Sequence, residues 1–223
     1  MIKVVFIDID NTLLDFDEGA RQSIKNTCAE FGIEYSDIMF DTFQSVNNEL
    51  WRRLERGELP RERLHEIRWG LIFAQLGISA DAAAFEGMFF EGLTYSAVPI
   101  DGAAEALKYL SGKYTVCAAS NASHGHQAER MREAGLEQYV DKFFVSADIG
   151  ADKPSKRFFD MCFDRLPPCR PDEAIMIGDS LTADMRGGAD YGMRTCWYNP
   201  HAADSVDWVD YTVTDLRQIE QIL

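Results

Sequence analysis

Two aspartates one residue apart, Asp8 and Asp10, close an uninterrupted apolar run from Val4 to Ile7, and a threonine, Thr12, follows. Three later stretches put chemically capable residues after apolar runs: Ser120-Asn121, Lys153 before Pro154, and Asp179 with Asp184 in "GDSLTAD" at 178–184. Singly, each has an ordinary structural role. An Asp or Ser after a strand commonly caps the next helix, a lysine before a proline can be a surface charge, and Gly178 can be a turn residue. Together they describe a reaction. Clustered carboxylates repel and raise each other's pKa unless positive charge sits among them. Asp8, Asp10 and Asp179 offer only hard oxygen ligands, the preference of Mg²⁺, which keeps several waters and takes a phosphate oxygen. With Mg²⁺ and Lys153 in place, one carboxylate can attack phosphorus to give an aspartyl-phosphate. A second, two residues on along an extended chain, points the same way and can protonate the leaving oxygen. Ser120 and backbone N–H groups can hold the remaining phosphoryl oxygens.

Such residues meet only if their strands end on one side of one sheet. Apolar runs predict strands at 3–9, 114–119, 142–146, 174–177 and 193–198, with a weaker one at 211–213. Helical spacing predicts helices at about 102–111, 123–134, 155–165, 181–190 and 215–222. Strands alternating with helices argue for an α/β fold with a doubly wound parallel sheet, a Rossmann-like core. In such a sheet the carboxyl ends of the strands open onto one crevice, which is where Asp8, Asp10, Ser120, Lys153, Asp179 and Asp184 are expected. The segment between the first two strands carries no convincing strand. Ala20, Ile24, Cys28 and Phe31 fall at helical spacing, as do Leu64, Ile67, Leu71 and Ala74, and Leu59-Pro60 and Gly77-Ile78-Ser79 mark helix boundaries. Residues 16–96 therefore read as an inserted α-helical domain, with 1–15 and 97–223 as the catalytic core.

Composition narrows the partners. The net charge of −15, from 37 acidic and 22 basic residues in 223, repels nucleic acid and anionic membranes and leaves a phosphate ligand in need of local positive charge. No apolar run approaches the ~20 residues of a membrane span. The five cysteines, at 28, 117, 162, 169 and 196, show no CxxC spacing and are odd in number. They read as free thiols in a reducing compartment. With a strand directly at the N-terminus and no signal peptide expected, the expected location is the cytoplasm.

The motifs "DIDNT" at 8–12, "AASN" at 118–121, "DKP" at 152–154 and "GDSLTAD" at 178–184 resemble, in order, the four signatures of the haloacid dehalogenase superfamily of Mg²⁺-dependent phosphohydrolases. That resemblance implies Asp8 as nucleophile and Asp10 as general acid/base. It implies Mg²⁺ bound by Asp8, the backbone carbonyl of Asp10, and Asp179, with Asp184 supporting the metal waters and Lys153. Ser120 and Lys153 would hold the phosphoryl group, with Thr12 and Asn121 also on the substrate. The helical insertion would be the family's cap, closing over the site. True dehalogenases lack an acid at the position of Asp10, because a halide leaves without a proton, so its presence favours phosphate chemistry. Phosphomutases share the motifs.

Three further stretches, "VNNELW" at 46–51, "GDSLTADMRGGADYGM" at 178–193 and "TCWYNP" at 195–200, resemble the house-cleaning pyrimidine 5′-nucleotidases of bacteria. The expected substrate is then a small phosphorylated metabolite, a nucleoside 5′-monophosphate. Asn47 and Asn48 would offer donors and acceptors to a base edge and Trp51 a stacking face. One departure is "SNAS" at 120–123, where that group more often has threonine, asparagine and glycine; the hydroxyl is kept. Sugar-phosphate or phosphoglycolate phosphatases and phosphomutases of the same superfamily are the alternatives. A signalling receiver domain also gathers acids, a hydroxyl and a lysine, but on different strands and without a large helical insertion. The HxH of His124 and His126 has no third ligand at zinc spacing. Trp69, Phe89 and Phe90 read as core, and Arg52, Arg53, Arg56, Arg61 and Arg63, interleaved with glutamates, as a solvated face.

Overall fold

Val4–Ile7 form a strand, β1, with every residue buried, as an all-apolar run requires when both faces of a sheet are covered. The computed structural model describes residues 1–122, 126–202 and 206–223. Helices α1 (Phe16–Phe31), α2 (Asp37–Glu55), α3 (Arg61–Leu76) and α4 (Ala82–Tyr95) follow β1. The chain then runs through α5 (Ala103–Ser111), β2 (Thr115–Ser120), α6 (His126–Glu133), β3 (Lys142–Val145), α7 (Ser146–Ile149), α8 (Lys156–Phe163) and β4 (Ala174–Gly178). It ends with α9 (Arg186–Tyr191), β5 (Arg194–Tyr198) and β6 (Tyr211–Val213). Two compact units result: Met1–Phe16 with Ala97–Leu223, and Asp17–Ser96.

In the first unit the strands form one sheet in the order β3-β2-β1-β4-β5-β6, with every neighbouring pair parallel. This is the doubly wound sheet expected from the alternating pattern. The winding reverses at β1, which pairs with β2 on one side and β4 on the other, Ile7 lying between Ala118 and Ile177. That reversal opens a crevice at the carboxyl ends of the strands. Successive side chains of β1 point to opposite faces. Val5 and Ile7 join Val116, Ala118, Ile175 and Ile177 in one core; Val4 and Phe6 join Cys117, Ala119, Phe144 and Met176 in the other.

Several elements differ from the sequence expectation. Strand pairing stops at Ile7 rather than 9, because the carbonyl of Ile9 accepts the N–H groups of Leu13 and Leu14, both at 2.8 Å, and winds the chain into a turn. Asn11 occupies the left-handed region there at φ 58°, which asparagine tolerates better than most residues, and its Oδ1 accepts the N–H of Phe16 at 3.0 Å. The helix expected at 181–190 is a wide turn over Leu181–Met185 followed by α9. Its cause is the carbonyl of Ser180, which accepts from Met185 N–H, five residues on, at 3.0 Å. At the C-terminus, Leu216–Gln221 is a tighter 3₁₀ helix, capped by Asp215.

The second unit, α1 to α4, packs around aromatic rings. Phe40, Phe43, Trp69, Phe73, Phe85 and Phe89 are buried, with Trp69 and Phe85 centroids 4.2 Å apart. Local chemistry sets the helix ends. Ser36 caps α2, Pro60 precedes α3 and Gly77, at φ 68°, ends it. Asp81 accepts the N–H groups of Ala83 and Ala84 to begin α4. Inside this unit Arg68 is buried, its Nη2 donating to Glu86 Oε1 at 2.6 Å and its Nη1 to Asn47 Oδ1 at 2.9 Å. His65 shares Glu86 Oε1 at 2.9 Å. Arg52 and Arg56 form exposed pairs with Glu49 and Glu58. Among the described residues, no helix is long and apolar enough to cross a membrane.

Candidate active site

The loops leaving β1, β2 and β4 bring the candidate residues of the first unit together around one ammonium. Lys153 is buried, and its Nζ donates to Asp8 Oδ1, to Asp184 Oδ1 and to the carbonyl of Ala119, each at 2.6 Å. Three donors thus meet three acceptors, the full capacity of a lysine. Asn121, at the end of β2, fixes the lysine backbone: its Oδ1 accepts Lys153 N–H at 2.7 Å and its Nδ2 donates to the Lys153 carbonyl at 2.8 Å. Asn121 therefore touches the lysine that was expected beside it on the substrate. Asp8 sits one residue past β1, its N–H donating to the carbonyl of Ile177 at 2.9 Å.

Asp184 owes its place to the wide turn. Its Oδ2 accepts Ser180 N–H at 3.1 Å, and Gly178 lets it approach, because a Cβ at 178 would collide with the Asp184 carboxylate. Thr12 is fully buried and binds Asp179 twice, accepting its N–H at 3.1 Å and donating to Oδ1 at 3.3 Å. From β5, Trp197 Nε1 donates to the carbonyl of Asp179 at 2.8 Å.

Asp10 is held from α6. Arg130 Nη1 donates to Asp10 Oδ1 at 2.6 Å and Gln127 Nε2 donates to Asp10 Oδ2 at 2.5 Å. Gln127 Nε2 also donates to Ser120 Oγ at 2.9 Å, and Arg130 Nη1 to Gln127 Oε1 at 2.9 Å. Gln127, Arg130 and Trp197 were not among the residues singled out from the sequence. The signal available for the first two was their spacing, three residues apart on one helix face following Ser120.

Burial pushes the Asp8 carboxyl well above the usual range, and the charges of Asp184, Asp179 and Asp10 push it further, with Lys153 opposing. Asp179 is pushed up to about 7, first by burial and then by Asp184. Lys153 moves upward: burial works against its charge, but Asp184 and Asp8 outweigh it. A single ammonium therefore leaves the carboxylates under-neutralised, which is the condition a divalent cation relieves. Carboxylate oxygens of Asp8, Asp179 and Asp184 lie within 4.8 Å of one another, a set of hard donors that fits Mg²⁺. Asp8 and Asp179 each keep one oxygen outside the bonds above, whereas both oxygens of Asp184 are engaged, by Lys153 and Ser180.

Of the residues expected to read the base, Asn47 is buried with Oδ1 on Arg68, and Asn48 is exposed. Trp51 is half-buried, with the Arg61 guanidinium carbon 5.6 Å from a ring centroid. His126 opens α6; Ser123 and His124 lie outside the described residues.

Residues 2–192 match the family model described as haloacid dehalogenase-like hydrolase. Over 220 residues the chain is 30% identical to the HAD-hydrolase YfnB of Bacillus subtilis (strain 168), covering 99% of this chain and 93% of YfnB. A crystal structure of YfnB bound to magnesium aligns with a TM-score of 0.92 at 29% identity, covering 100% of this chain and 98% of that one. The pyrimidine 5′-nucleotidase PynA of Streptococcus pneumoniae (strain ATCC BAA-255 / R6) is 30% identical over 200 residues, 89% of this chain and 84% of PynA. The pyrimidine 5′-nucleotidase YjjG of Escherichia coli (strain K12) is 25% identical over 221 residues, 98% of this chain and 96% of YjjG. With its parallel sheet, its strand-end acids and these matches, the chain belongs to the haloacid dehalogenase-like hydrolases.

Proposed function

We propose that this hydrolase cleaves phosphomonoesters through an aspartyl-phosphate on Asp8, and that its substrates are nucleoside 5′-monophosphates, pyrimidine ones preferred. One arrangement carries the reading. Asp8, buried against the Lys153 ammonium, is paired with a second acid, Asp10, that is held separately by Arg130 and Gln127. A carboxylate oxygen of Asp8 attacks phosphorus, the bond from phosphorus to the ester oxygen breaks, and Asp10 gives that oxygen its proton. Water then attacks the phosphorus of the aspartyl-phosphate, Asp10 takes a proton from it, and Asp8 and phosphate are released. Ser120 holds a phosphoryl oxygen throughout, and Lys153, whose three N–H groups are engaged by Asp8, Asp184 and the Ala119 carbonyl, supplies positive charge beside the attacking carboxylate. Asp8, Asp179 and the backbone carbonyl of Asp10 would hold Mg²⁺, with Asp184 in support. When bound, the ion neutralises charge on the phosphoryl oxygens and the clustered acids.

Hydrolysis rather than halide displacement is supported by Asp10, and the pyrimidine preference by the names of PynA and YjjG. The strand-end residues grip only the phosphoryl group, so choice of leaving group must come from elsewhere. We assign it to the helical unit, acting as a cap, and to Trp51 within it. Asn47 contributes only if its amide nitrogen does, since its oxygen is committed to Arg68. The test is kcat/KM measured with Mg²⁺ for UMP, dUMP, dTMP, AMP, phosphoglycolate and glucose phosphates. A pyrimidine nucleotide should lead. If phosphoglycolate or a sugar phosphate exceeds every nucleotide tenfold or more, the nucleotidase reading fails and the phosphatase reading stands.

A further inference from the structure

Asp10 is partly exposed, with 31% of its side chain open to solvent, yet both of its oxygens are bound. The two donors come from one face of α6, Gln127 and Arg130, which are 1% and 5% exposed. Each lies far from Asp10 in sequence, 117 and 120 residues away, so the contact depends on α6 docking beside the loop after β1. The guanidinium also carries a cost. Arg130 Nε is buried and finds no partner among the described residues, and an unsatisfied buried donor is unfavourable. A side chain placed only for packing or for helix stability would not need a buried charge with an orphaned N–H. Gln127 adds a second constraint, because its Nε2 bridges Asp10 Oδ2 and Ser120 Oγ. The acid and the hydroxyl assigned to the phosphoryl group are thereby set at a fixed spacing.

We infer that Arg130 and Gln127 are positioning residues for the proton-transfer group, holding the Asp10 carboxylate where the leaving oxygen will be and registering it against Ser120. The inference rests on the phosphatase reading above. An acid that is mispositioned matters in proportion to the proton its leaving group needs. Nucleosides leave as poor alkoxides and need it; 4-nitrophenolate leaves readily without it. Arg130→Ala should therefore lower kcat on the best nucleoside monophosphate by about 10²-fold, and on 4-nitrophenyl phosphate by at least tenfold less. Arg130→Lys, which keeps a positive donor, should recover part of the nucleotide activity. Arg130→Met fills the same space without the guanidinium and answers the same question if the alanine variant does not fold.

A purely structural role predicts equal losses on both esters and no recovery by lysine. Equal losses in Arg130→Met, against an active wild type, would overturn this inference alone. A wild type inert toward every ester would overturn the phosphatase reading and the inference with it. A crystal structure of Arg130→Met provides a readout without turnover: the Asp10 carboxylate should leave the position it shares with Gln127, and finding it unmoved would overturn the inference.

Discussion

Thr12 Oγ accepts the N–H of Asp179 at 3.1 Å and donates to its Oδ1 at 3.3 Å, so one hydroxyl fixes both the backbone and the carboxylate of a residue 167 positions away. It links the turn after β1 to the end of β4, the strands between which the winding reverses. Thr12→Val keeps the volume and removes both bonds. The expected result is a several-fold rise in the Mg²⁺ concentration giving half-maximal activity. A stability loss of about 1–2 kcal/mol should accompany it, because a buried N–H is left unsatisfied. Thr12→Ser should behave as wild type. An unchanged Mg²⁺ requirement in Thr12→Val would show that Asp179 is held without the hydroxyl.

Asp8→Asn separates chemistry from folding. The amide oxygen can still accept from Lys153 at the place where Oδ1 now does, 2.6 Å away, but an amide cannot attack phosphorus. Turnover should fall at least about 10³-fold, on the order of 4 kcal/mol in the barrier. The same change removes a carboxyl whose charged form is disfavoured by burial and by its acidic neighbours. In EDTA, the variant should therefore melt at or above the wild-type temperature. A folded, fully active Asp8→Asn protein would remove Asp8 as the nucleophile, whatever its melting point.

What was legible in the sequence was what local pattern encodes. Apolar runs mark strands because both sheet faces must be covered, and polar residues immediately after them mark the crevice, so local pattern alone puts Asp8, Ser120 and Asp179 at the strand ends. The aromatic core of the helical unit was legible in the same way, from Trp69 and Phe89 at helical spacing. What was not legible depends on contacts between distant segments. Gln127 and Arg130 sit in a stretch, "HQAERMRE", that reads as an ordinary polar helix until α6 is seen beside Asp10. Trp197 looks like one more apolar strand residue until its indole N–H meets the carbonyl of Asp179. Asn47 reads as an amide open to a base edge because the sequence cannot say that Arg68 is buried next to it and takes its oxygen. The wide turn at 181–185 carries the pattern of an α-helix, since the carbonyl of Ser180 accepting from Met185 leaves no trace in composition.

Metal removal should be visible without substrate. If Mg²⁺ binds among Asp8, Asp179 and Asp184, it relieves their mutual repulsion only in the folded chain. A concentration one hundred times its dissociation constant should then stabilise the protein by roughly 2.7 kcal/mol. Scanning calorimetry in EDTA and in excess Mg²⁺ measures this directly. Asp179→Ala should reduce both the shift and the activity at limiting Mg²⁺. An identical melting temperature with and without Mg²⁺, in protein shown to be metal-free at the start, would count against a site at these acids.

The buried network of the helical unit should make that unit sensitive to acid. Burial alone would raise the Glu86 carboxyl. The His65 hydrogen bond and the Arg68 charge and hydrogen bonds outweigh it, so the folded value lies below the ordinary 4.5. A carboxyl depressed on folding contributes stability that is fully present above its unfolded value and is lost as pH falls through the folded one. Glu86→Gln removes the charge and leaves the Arg68 guanidinium, 2% exposed, without its counter-ion, a loss of about 3 kcal/mol at neutral pH. The difference between wild type and variant should be full above pH 4.5 and shrink below it, as first the unfolded carboxyl and then, at its depressed value, the folded one takes up a proton. Urea unfolding followed by tryptophan fluorescence reports the change, with Trp51 and Trp69 in this unit and Trp197 and Trp208 in the other. A gap that stays constant from pH 7 to pH 4 would mean that Glu86 acts there through shape and hydrogen bonding rather than through its charge.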